Sequence, residues 1–92
     1  MDNVYKQARE IEERSRAYAD TPDSNEIRTL VKEADDMCEA IEMKKSADHI
    51  ENRLERVLDA MLRARDSGHI SMGDARDLES RCRRLQNDLR KL

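Results

Sequence analysis

Apolar residues recur along this chain at alternating steps of three and four, the spacing that lines one face of an α-helix. Val4, Ala8, Ile11, Ser15 and Tyr18 draw a narrow seam over about residues 3–20, with Ser15 as its weak point. Ile27, Leu30, Ala34, Met37 and Ile41 repeat the rule and are placed to zip against the first seam as a helical hairpin. From Ala47 onward the apolar positions are Ile50, Leu54, Val57, Met61 and Ala64, one residue out of register with the preceding set. One residue of slip rotates the apolar face by roughly 100°. A last seam follows through Ala75, Leu78, Cys82, Leu85, Leu89 and Leu92.

Helix breakers cluster at two places, Thr21 to Ser24 and Ser67 to Ser71. At the first, Pro22 suits an opening helical turn, and Asp23 with Glu26 has the spacing of a capping box. At the second, Gly68 suits a left-handed helix end, Ser71 and Asp74 form a second capping pair, and Ile70 is placed to staple onto Ala75. The pattern predicts an all-α domain over residues 1–92, made of helical hairpins around a long central helix. Its three helices fall at about 3–20, 24–67 and 72–92. A four-helix bundle is the alternative, with a turn at residues 44–48 where Lys44 and Lys45 end one helix and Ser46 or Asp48 caps the next. The lack of Gly and Pro there favours the continuous helix. An offset of 44 residues sets Val31, Ala34, Cys38 and Ile41 over Ala75, Leu78, Cys82 and Leu85, but amphipathic hairpins align this way without duplication.

Composition agrees with helices and limits the core. Charged residues make up 42% of the chain and hydrophobic residues 37%, while Tyr5 and Tyr18 are the only aromatics, so packing falls to Leu, Ile, Val, Met and Ala. Met1 is followed at once by Asp2, and no apolar run reaches the length of a secretory core or membrane span. A cytoplasmic location without membrane contact is expected, with Cys38 and Cys82 as free, buried thiols.

Chemistry is sparse. His49 and His69 stand beside carboxylates, but neither has a His or Cys partner at metal-ligand spacing, and each reads as a solvated turn histidine. Catalytic, cofactor-binding and metal residues are therefore expected to be absent, and thin hairpins offer little concave space for an active site. Charge is polarised instead. Residues 1–45 carry eight basic and twelve acidic side chains, whereas residues 71–92 carry six basic and four acidic. Arg76, Arg83 and Arg90 repeat every seven residues and predict an exposed basic ridge. Nucleic acid is a poor fit, given the net charge of −3 and the shortage of aromatics for stacking.

Val31, Cys38, Leu58 and Leu62 fall just outside the seams and widen the apolar stripes beyond what one hairpin partner covers. With Arg76, Arg83 and Arg90 they are the candidate partner-binding residues. The implied function is that of a non-enzymatic, helical protein-interaction module (an adaptor, chaperone or regulator) that self-associates as a dimer with its central helices antiparallel. The competing reading is a phage-type inhibitor or regulator of a nucleic-acid-handling enzyme, acting through its acidic half as a charge mimic.

Overall fold

The computed structural model describes residues 2–19 and 23–92, and among them every regular element is an α-helix. Helix α1 spans Asp2–Ala17, α2 Asn25–Glu42, α3 Ala47–Asp66 and α4 Met72–Arg90. Each packs on two neighbours in a closed ring: α1 on α2 and α4, α3 on α2 and α4, while among the described residues the Cα atoms of diagonal helices stay more than 8 Å apart. Short connections make neighbours antiparallel, the up-and-down four-helix bundle.

The long central helix expected over 24–67 is therefore corrected to two helices. Met43 ends α2, and Lys44 turns left-handed at φ 56°. The Lys45 amide donates to the Ala40 carbonyl and the Lys44 amide to that of Ile41, both at 3.0 Å. These bonds form the Schellman motif that normally places glycine where Lys44 stands. A left-handed lysine costs roughly 1–2 kcal/mol. The phase slip explains why the chain accepts it. In one continuous helix the two apolar faces diverge by roughly 100°, whereas a reversal turns both onto one core. Leu30, Ala34 and Met37 from α2 and Ile50 and Leu54 from α3 all reach zero exposure there.

Gly68 makes the same motif at φ 79°, donating to the Arg65 carbonyl while the His69 amide donates to that of Ala64. Serine caps open three helices. Ser24 accepts from the Ile27 amide (3.1 Å), Ser46 from His49 (3.2 Å) and Ser71 from Asp74 (3.1 Å). Ser24 thus replaces Asp23 as the cap of α2. The roles assigned to Thr21 and Pro22 lie outside the described residues. The first helix ends at Ala17, earlier than the seam suggested. Ile70 and Ala75 are both buried, as a staple requires.

The seams build the core as spaced. Ser15, the weak point of the first seam, is fully buried and its hydroxyl donates back to the Ile11 carbonyl at 2.7 Å. Glu12 is buried beside it, held by Arg16 and by Arg9 at 3.1 Å. Cys38, read both as a buried thiol and as a partner-facing position, and Leu58, read as partner-facing, are only 3% and 6% exposed, so the buried reading of Cys38 holds and neither lies open for a partner. Both belong to the hydrophobic core of the bundle, so no second subunit is needed to cover them. Val31 and Leu62 remain partly buried at the edge of the core.

Candidate functional site

Where α1 runs out, its side chains stop covering the first turns of α2. A groove of about 400 Å³ opens there, lined by Ala19, Ile27 and Val31 with Arg16, Arg28, Lys32 and Asp35. Ile27 is core and Val31 is half-buried, so the apolar lining continues the bundle interior to the surface. Arg28 and Lys32 stand one helical turn apart on exposed positions of α2. Arg16 reaches from α1 to Asp35 at 3.4 Å and also binds Glu12, tying the two walls together. Among the described residues, three cations and one carboxylate thus surround an apolar slot. No histidine, cysteine or hydroxyl group belongs to its described lining, so the arrangement is suited to holding an apolar side chain beside negative charge.

Of the seven residues marked from sequence, only Val31 belongs to this groove. Leu62 sits half-buried on α3, and Cys38 and Leu58 are interior. Arg76, Arg83 and Arg90 are exposed on α4 as expected, but two of them are engaged within the chain. Arg90 donates to Glu51 of α3 through Nε and Nη2 at 3.1 and 3.0 Å, and Arg83 donates to Gln86 at 3.2 Å. Sequence reasoning missed Ala19, Arg28 and Lys32. Their signal was available as two cations one turn apart beside an off-seam valine, at a hairpin whose first helix is the shorter.

The other chemically distinctive side chains lie outside the described lining of the groove. Both thiols are raised by burial, Cys38 to about 11 and Cys82 to about 12, so they are protonated at neutral pH and poor nucleophiles. His69 Nε2 lies 3.5 Å from Glu26 and joins the α3–α4 turn to the start of α2. His49 lines a polar groove between α2 and α3 with Asp36, Glu39, Met43, Lys45 and Arg53. Between α1 and α4, Tyr18 donates to Asp77 at 2.7 Å, and Arg81 bridges Asp77 and Glu10 at 3.1 and 3.3 Å. The tyrosine hydrogen bond, joined by Arg81 and Arg14, holds the Asp77 carboxyl below the usual carboxylate range. At the other end of α1, Tyr5 donates to Glu42 at 2.6 Å, a bond that raises the tyrosine pKa.

Among the described residues no three His, Cys, Asp or Glu side chains gather as a metal-binding group, and no helix is long and apolar enough to cross a membrane. No protein-family model matches the chain, and no curated protein or solved structure matches it either.

Proposed function

We propose that this protein is a helical interaction module whose groove between α1 and α2 receives a short segment of another protein. The bound segment presents one large apolar side chain flanked by acidic residues. One observation carries this reading: an apolar slot of about 400 Å³ that opens from the core and, among the described residues, is rimmed by Arg16, Arg28 and Lys32 with the carboxylate of Asp35. An apolar side chain entering the slot loses its contact with water, which provides affinity. The cations select acidic flanks and speed encounter. Adaptor, chaperone or regulator describes what such a module does in the cell, and self-association belongs to the same reading.

A charge mimic that displaces nucleic acid from an enzyme would instead work through Asp35, Asp36, Glu39 and Glu42 on the later turns of α2. Asp35 and Glu42 are already engaged by Arg16 and Tyr5, which favours the groove.

Selection from a displayed random-peptide library tests the reading directly. The wild-type chain is expected to enrich sequences with a Leu, Ile, Phe or Met anchored between Asp or Glu residues, and Val31→Asp is expected to abolish that enrichment. Enrichment that ignores Val31, or consensus sequences without acidic flanks, would overturn it. Loss of bound peptide only at high salt, together with competition by duplex DNA, would favour the charge mimic.

A further inference from the structure

The face opposite the groove, formed by α3 and α4, carries two parallel stripes of opposite charge. On α3 the exposed positions Asp48, Glu55, Asp59 and Asp66 lie within about 40° of one another around the helix, pointing away from the core. Arg56 and Arg63 flank them on the side of α2, while Glu51 and Leu62 flank them on the side of α4. On α4 and its C-cap every exposed charged side chain is a cation: Arg76, Arg83, Arg84, Arg90 and the cap residue Lys91. The carboxylates of that helix are all half-buried. Asp77 and Asp88 are turned to α1, where they meet Tyr18 and Gln7.

The bundle also fixes how the stripes are aligned. Glu51 accepts from both Gln86 and Arg90, so position 51 of α3 stands level with the middle of that pair on α4. Because the helices are antiparallel, Asp48 is then level with Arg90 and Lys91, and Glu55 with Arg83 and Arg84. Each stripe repeats at seven residues, roughly 10.5 Å along the helix.

We propose that two copies of this chain dimerise through the α3–α4 face, about a two-fold axis parallel to the helices. That rotation lays α3 of each copy over α4 of the other and keeps every residue at its own height. The Asp48 and Glu55 of one copy therefore meet Arg90 with Lys91, and Arg83 with Arg84, of the second. Rotation about the perpendicular axis in the same plane would set acid on acid and base on base, which charge forbids. Leu62, half-buried between the stripes, and Met72, exposed at the start of α4, supply apolar contact at one end. The bundle extends 35 × 21 × 17 Å. Covering one long face on both copies buries on the order of 1,200–1,500 Å², whichever of the two widths it has, enough for a specific interface of modest strength. The dimer leaves each α1–α2 groove facing outward, so the pair is bivalent. This inference rests on the self-association in the reading above but not on the groove.

Sedimentation velocity on three chains tests it: the wild type, Glu55→Arg, and Arg83→Glu combined with Arg84→Glu. All the altered positions are exposed, and circular dichroism should report unchanged helix. The wild type is expected to dimerise at micromolar concentrations, and each altered chain alone to raise the dissociation constant at least tenfold by setting like charges together at both contacts. An equimolar mixture of the two altered chains is expected to regain wild-type affinity as a heterodimer, because both contacts are again opposite in sign. A wild-type chain that stays monomeric at millimolar concentration would overturn self-association itself. A wild-type dimer unaffected by either change, or altered chains that fail to rescue each other, would overturn this face and this axis. Either result leaves the peptide selection on Val31 as a separate test of the groove.

Discussion

The N-terminal and C-terminal hairpins of this bundle are of similar length but differ in what holds them. Helices α3 and α4 bury Ile50, Leu54, Val57, Met61, Leu78, Cys82, Leu85 and Leu89, with Gln86 their one buried polar side chain among the described residues. Helix α1 contributes Val4, Ala8 and Ile11 to the core, then buries Ser15 and the ion-paired Glu12. Its contact with α4 relies on polar ties, including Gln7 to Asp88 and Tyr18 to Asp77. Apolar burial contributes roughly 1.5–3 kcal/mol per large side chain, whereas exposed polar pairs contribute little. Helix α1 thus supplies the fewest apolar side chains to the core, and the open groove lies where that helix ends. Recognition sites elsewhere also draw on less stable segments of a fold.

The largest expected effect follows from that asymmetry. Leu54→Ala and Leu85→Ala each empty a fully buried site and should cost ~2–5 kcal/mol in urea denaturation. A cost below half a kcal/mol would mean that these two sites are not part of the packed core.

The two reversing turns offer a finer comparison. Lys44→Gly should stabilise the protein by up to about 1 kcal/mol, since glycine adopts the left-handed position without strain. Gly68→Ala should destabilise by about 1 kcal/mol for the converse reason, although an added Cβ meets nothing within 4 Å. Thermal denaturation of the pair reads both signs. Equal signs would mean that left-handed strain does not govern these turns.

Ser15→Ala should change stability by less than about 0.5 kcal/mol, because the hydroxyl bonds only to its own helix and alanine favours helix. A loss well above that would assign Ser15 a packing role across the bundle. At neutral pH both thiols are protonated, so stability does not vary with pH on their account there. Both folded-state values lie above the ordinary 9.0, so the folded form holds its protons longer than the unfolded form does. Their contribution is complete below about pH 9. It fades as pH rises through about 11 for Cys38 and about 12 for Cys82. Cys82→Ala should flatten that alkaline decline, and an unchanged pH profile would count against burial as its cause.

Helix class, the faces of all four helices and the Gly68 turn were legible because periodicity and glycine report them locally. The Lys44 turn was obscured because its left-handed residue is a lysine. The phase slip at Ala47 and the cap residue Ser46 were its visible traces. Reading the slip as two faces of one helix made Cys38 and Leu58 look uncovered, whereas the reversal at Lys44 brings them under the bundle's own helices. The groove was only partly legible. Val31 stood out by its spacing, but the slot depends on where α1 ends, and the Tyr18–Asp77 tie joins residues far apart in sequence.

The most direct test of the division between the two faces is a map of backbone amide chemical shifts as a library-selected acidic peptide is titrated into the labelled chain. The shifts are expected to concentrate on Ala19, Ile27, Arg28, Val31 and Lys32 and to leave Arg76, Arg83 and Arg84 of α4 unmoved. Shifts concentrated on α4 would place acidic partners on the basic ridge and contradict the account.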